Sequence, residues 1–168
     1  MPSFWSWLAT LPVGLVLFAN GAASVNLTYY APELDVEPAF ANWIGSFYQA
    51  AEASNVSAAG YNDFFSPGST IELGGWDLSQ DVKDNLITRV HYPTVVAIDG
   101  DYPIQKKFHL YGLTKAYYEN STCEVESYET KFTILKSGNQ CDLESKDGSL
   151  LDLELVEQIS SSASCDSF

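Results

Sequence analysis

His91 and His109 are the only histidines in the chain, and imidazole is the side chain that gives and takes protons near neutral pH. His109 opens an alternating set, His109, Tyr111, Leu113, Lys115 and Tyr117. In an extended segment these share one face, which points either into a core or away from it. Tyr48 adds a phenol inside a strongly apolar stretch. There it either polarises a substrate oxygen or packs with its hydroxyl satisfied. His91, His109 and Tyr48 are the candidate catalytic residues, with Tyr61 and Tyr111 as further phenols able to polarise an oxygen.

Cysteine and charge narrow the setting. Cys123, Cys141 and Cys165 allow at most one internal disulfide, and none has the spacing of a metal site. No metal and no cofactor are therefore expected. The net charge of −14, from 22 acidic and 8 basic residues, repels phosphate backbones and anionic lipid and argues against nucleic-acid or membrane-surface partners.

The address is written at the amino terminus. Phe4 to Ala19 is an apolar run without charge, followed by the small residues Gly21, Ala22 and Ala23. Residues 1–23 read as a signal peptide cut after Ala23, leaving no membrane partner; a spanning anchor needs roughly 20 apolar residues without an internal proline such as Pro12. Three sequons, at Asn26, Asn55 and Asn120, agree with a secreted, extracellular glycoprotein.

The elements that must position these groups follow from periodicity. With 168 residues and 46% hydrophobic content, one domain is expected. Residues 24–36 form a lead, 37–159 the domain and 160–168 a Ser-rich tail. Phe40, Trp43, Ile44, Phe47, Tyr48 and Ala51 make one apolar stripe of a helix ending near Ser54-Asn55. Ala58 to Phe65 keeps helical spacing through Tyr61, Phe64 and Phe65 and predicts a second helix, broken by Ser66-Pro67-Gly68. A short strand, Thr70 to Leu73, comes next. Asp77 and Gln80 suggest a capping box for a third helix marked by Val82, Leu86 and Val90. Four strands complete the chain: 91–99, 107–119, 123–136 and 149–159, with Leu151, Leu153 and Leu155 as the buried side of the last. Antiparallel pairing of the last two brings Cys123 beside the tail, so Cys123 to Cys165 is the expected bridge.

This order, together with Phe40 to Tyr48 and Tyr61 to Gly75, resembles the nuclear transport factor 2-like superfamily, and within it the SnoaL-like branch of cyclases, isomerases and dehydratases. The resemblance spans about residues 37–159. It implies an α+β fold in which a curved mixed or antiparallel sheet wraps a long N-terminal helix into a cone, with three helices in all. It also implies a homodimer through the outer face of the sheet and a functional histidine at the position of His91. Such members use a carboxylate on or near the first helix; Ser46-Phe47-Tyr48-Gln49 offers none, and Asp63 is the nearest substitute. The expectation is a cone lined by Trp43, Phe47, Tyr61, Phe65, Tyr111 and Tyr128 that binds a small hydrophobic molecule. The alternative is a cofactor-free dehydratase, isomerase or cyclase acting on a small aromatic or polyketide-like substrate through histidine-mediated proton transfer.

Overall fold

A computed structural model describes residues 24–75 and 85–161. The proposed signal peptide, most of the expected third helix (Asp77, Gln80 and Val82 among its residues) and Cys165 lie outside the described residues.

Strand β1 (Ala31–Pro32) precedes helix α1 (Ala39–Ala51). A single 3-10 turn (Tyr61–Phe64) leads into β2 (Phe65–Leu73), and then come β3 (Leu86–Asp101), β4 (Gln105–Tyr118), β5 (Cys123–Ser137), β6 (Gln140–Cys141) and β7 (Leu150–Ser161). The sheet order is β1-β3-β4-β5-β7-β2, with β6 attached to β5. The long strands β3, β4, β5 and β7 pair antiparallel with their neighbours; β1 and β2 join the two ends in parallel.

Helix α1 forms because its apolar residues recur three and four apart, and it stops where Glu52 leaves helical geometry at φ −92° and ψ 2°. Pro38 sits at the N-cap, where its missing amide costs no hydrogen bond. The helix buries Phe40, Trp43, Ile44, Phe47 and Tyr48 against the inward residues of the sheet, among them Phe108, Leu110 and Phe132. Phe40 stacks on Phe108 at 4.5 Å, and Trp43 stacks on Phe47 at 5.6 Å while both meet Phe132 edge-on. Each such ring removed from water contributes about 2–3 kcal/mol.

Alternation in the sheet fixes the faces. Lys106, Phe108, Leu110, Gly112 and Thr114 of β4 are buried beneath the helix, whereas Lys107, His109 and Tyr111 point away from it. Opposite Thr133 and Ile134 of β5 the register of β7 shifts between Asp152 and Leu150, so Leu150 and Leu153 take the buried positions and Leu151 falls in the irregularity. The extra residue of a bulge breaks simple alternation.

The structure corrects the expected fold class. Among the described residues α1 is the sole α-helix, of 13 residues, set against a sheet that carries most of those residues, where three helices were expected. The stretch expected as a second helix makes only the 3-10 turn, and Phe65 already belongs to β2. Gly60, at φ 77°, ends the preceding turn in a left-handed conformation a helix cannot include. Leu86 and Val90, assigned above to a third helix, lie in β3. A spacing of four suits a strand as well as a helix, and β-branched Ile87, Thr88 and Val90 prefer the strand.

Candidate functional site

The C-terminal end of α1 carries the chemistry. His91, on β3, is 3% exposed and lies under the last turn of the helix. Tyr48 stacks on its ring, with centroids 4.1 Å apart and planes 12° from parallel. Tyr128, from β5, meets both rings edge-on, at 5.6 Å from His91 and 5.8 Å from Tyr48. Four residues beyond Tyr48, Glu52 reaches back so that its Oε1 is 2.7 Å from His91 Nε2.

An ionised carboxylate can only accept a hydrogen bond, so Nε2 carries the proton and donates it to Glu52. In the neutral imidazole Nδ1 is then the nitrogen with the free lone pair. It is buried and makes no hydrogen bond among the described residues. A carboxylate at a helix C-terminus sits against the negative end of the helix dipole, and the hydrogen bond from His91 offsets that cost.

The surrounding phenols are donors. Burial raises the pKa of Tyr128 well above its ordinary value. Burial also raises Tyr48, more than its contacts with Thr130 and Tyr128 lower it. Tyr61 is raised by burial and then by the charge of Glu52. All three stay neutral at physiological pH, able to give a hydrogen bond and unable to act as bases.

The same interior face continues in polar residues. Thr114 is registered with His91 on one side and Glu126 on the other, and its hydroxyl donates to Glu126 Oε2 at 3.1 Å. Arg89 Nη2 donates to that oxygen at 3.5 Å. Arg89, Thr114 and Glu126 are each less than 10% exposed.

Glycine makes the arrangement possible at one point. Gly112 is registered with Tyr128, and a Cβ there would lie 2.4 Å from its ring. Only glycine lets this ring lie over β4.

The residues named from the sequence divide into three groups. His91, Tyr48, Tyr128 and the half-buried Tyr61 gather at this site. Trp43, Phe47 and Phe65 belong to the aromatic core: Trp43 stacks on Phe47, Phe65 is tilted against Phe47, and Trp43 and Phe47 meet Phe132 edge-on. His109 and Tyr111 lie on the opposite face of the sheet, where His109 Nε2 bonds Glu129 and the Tyr111 hydroxyl lies 3.2 Å from Nδ1. The sequence reading missed Glu52, although Phe40, Ile44, Tyr48 and Glu52 form one row of four-residue steps along the helix. It also missed Arg89 and Glu126. In each sequon the asparagine side-chain oxygen accepts a backbone amide two or three residues on, in turns at exposed or half-exposed positions.

A second polar cluster lies at the other end of α1. An open cleft of about 850 Å³ is lined by Leu34, Glu37, Ile98, Asp101 and Lys106, among others. Lys106 Nζ donates to the carbonyl of Asp35 at 2.6 Å and to Glu37 at 3.2 Å. Cys141 is a free thiol, pushed up to about 12 by burial and by the neighbouring Glu37 carboxylate. Among the described residues no group of three histidine, cysteine, aspartate or glutamate side chains is placed to hold a metal ion.

The chain matches no family model, and neither a curated protein nor a solved structure is significantly similar to it.

Proposed function

We propose that the Glu52–His91 pair is the acid–base centre of a secreted, cofactor-free lyase or isomerase acting on a small aromatic or polyketide-like molecule. The observation that carries this reading is the state of His91. Its Nε2 is committed to Glu52 at 2.7 Å, while its buried Nδ1 has no protein partner among the described residues. A buried basic nitrogen without a donor is costly unless something else supplies one.

The chemistry is abstraction of a proton from carbon by Nδ1, with the imidazolium formed held by Glu52. Negative charge that develops on a substrate oxygen meets neutral phenols, Tyr48 and Tyr128, as donors. The resemblance to the SnoaL-like branch supplies the reaction class and nothing further. The rings expected to line a cone are packed on each other, so the reading rests on His91 and its neighbours and not on an aromatic cavity.

Secretion, cleavage after Ala23, glycosylation at the three sequons and the Cys123–Cys165 bridge belong to the same reading. The bridge is supported by the pairing of Val125 with Ser161, which brings the chain after β7 to the start of β5, and by the free state of Cys141.

The test uses nitrobenzisoxazole, whose ring opens when a base removes its carbon-bound proton and the nitrogen–oxygen bond breaks to give a nitrile and a phenolate. The mature protein should accelerate this opening above buffer. His91→Ala should lower the rate on the order of a hundredfold; because it also removes the Tyr48 stack and the Glu52 hydrogen bond, it should melt lower, and its rate is read at a temperature where the variant is shown to be folded. A rate indistinguishable from buffer, in a protein whose histidine resonances show a folded His91, would overturn the proposal. A probe that raises the melting temperature without turning over would move the reading to a binding module.

A further inference from the structure

We infer that the outer face of the sheet carries a second, independent reactive site, in which Tyr111 is a nucleophile for acyl groups, His109 is its base and Glu129 positions His109. Tyr111 and Glu129 are directly registered across β4 and β5. His109, two residues before Tyr111, points to the same face. Glu129 accepts a hydrogen bond from His109 Nε2, so in the neutral imidazole Nδ1 carries the lone pair, and it faces the Tyr111 hydroxyl at 3.2 Å. The rings of His109 and Tyr111 lie 4.5 Å apart, tilted by 33°. Carboxylate, imidazole and hydroxyl thus stand in the order that turns a weak oxygen nucleophile into a strong one.

Access separates this site from the one under the helix. Tyr111 is 40% exposed, and the His109 and Glu129 side chains are about one-fifth to one-quarter exposed, so an ester in solution reaches the phenol directly. Phe108 and Leu110, on either side of His109 in sequence, are fully buried under α1. The backbone of Tyr111 is fixed as well, its carbonyl accepting a hydrogen bond from the Thr94 hydroxyl at 2.9 Å.

The step is acyl transfer. Tyr111 Oη forms a bond to the acyl carbon as its proton passes to His109 Nδ1. The carbon–oxygen bond of the ester breaks, and the alcohol leaves with that proton. Water then hydrolyses the tyrosyl ester by the reverse route.

The experiment is brief exposure of the secreted protein to p-nitrophenyl acetate, followed by digestion and mass measurement of each tyrosine peptide. Tyr29 and Tyr102 are internal standards, because they are more exposed than Tyr111, at 51% and 48%, and neither is hydrogen-bonded to a histidine. Acetyl should appear on Tyr111 at least tenfold faster than on either. His109→Ala should bring Tyr111 to their rate. Glu129→Gln should give an intermediate rate and mix the two imidazole tautomers in nitrogen resonance spectra. Acetylation of Tyr111 no faster than that of Tyr29 and Tyr102 in the unmutated protein would overturn the inference, and that comparison needs no variant to fold.

Discussion

Tyr48 lies flat on the imidazole of His91, with ring centroids 4.1 Å apart and planes within 12° of parallel. Glu52, one helical turn further on, holds the Nε2 edge of the same ring. Tyr48 on α1 and Glu52 at its C-cap, four residues apart, therefore fix the plane of His91 and its hydrogen-bonded nitrogen, so the end of the helix acts as the positioning element for a group on the sheet. Tyr48→Phe keeps the stack and removes a buried hydroxyl that makes no hydrogen bond among the described residues; it should leave stability unchanged or slightly raised and lower nitrobenzisoxazole turnover. Tyr48→Ala removes the stack and should cost about 3–5 kcal/mol. Denaturant unfolding of the two variants beside the parent distinguishes a hydroxyl effect from a packing effect.

Glu52→Gln tests the tautomer. Without a charged acceptor His91 has no strong reason to keep its proton on Nε2, so its nitrogen resonances should show both tautomers where the parent shows one. The lost charge-assisted hydrogen bond should cost about 1.5–3 kcal/mol. An unchanged single-tautomer spectrum would show that something other than Glu52 sets the proton.

Gly112→Ala places a methyl group 2.4 Å from the Tyr128 ring. The ring must move, and overpacking of this kind costs about 1–3 kcal/mol. Combining Gly112→Ala with Tyr128→Val makes room for the methyl group, and the double variant should be less destabilised than the sum of the two singles. Additive losses would mean that the two residues are not in conflict.

Much of this architecture was legible in the sequence, and the exceptions have physical causes. The strands following His91 showed their alternation because one face of each is buried under α1. The helical stripe from Phe40 to Tyr48 was equally plain. Leu86 and Val90 were misread because a separation of four fits both periods, and the second helix was misread because the spacing of Tyr61 and Phe64 satisfies a 3-10 turn as well as an α-helix. Glu52 was overlooked because an acid at a helix end reads as solvated; only its partner, on a strand 39 residues away, gives it a role. The same holds for Gly112 against Tyr128 and Thr114 between His91 and Glu126. Those relations exist in the register, which a single sequence does not state.

The cysteines give a direct chemical check. Peptide mapping without reduction should recover Cys123 joined to Cys165 and Cys141 alone. Cys141 should alkylate slowly in the native protein and quickly in denaturant, since burial and Glu37 hold its thiol protonated. Recovery of Cys141 in the bridge would reject the proposed pairing.

Acid should attack the other end of α1 first. Burial alone would raise the pKa of Glu37, but hydrogen bonds from its own backbone and from Lys106, together with the Lys106 charge, outweigh it and hold the carboxyl below its ordinary value. A carboxyl depressed in the folded state contributes stability that is fully present above its unfolded pKa and is lost as pH falls through the folded one. The Lys106 side chain is 6% exposed and that of Glu37 15%, so Lys106→Met leaves a largely buried carboxylate without its cation. The loss at neutral pH should be about 3 kcal/mol, the low end for a broken buried pair because water still reaches Glu37. Glu37→Gln removes the titrating group itself. Its unfolding free energy, followed from neutral pH down through the carboxylate range, should fall less steeply than that of the parent, and parallel curves would assign the acid sensitivity to other carboxylates.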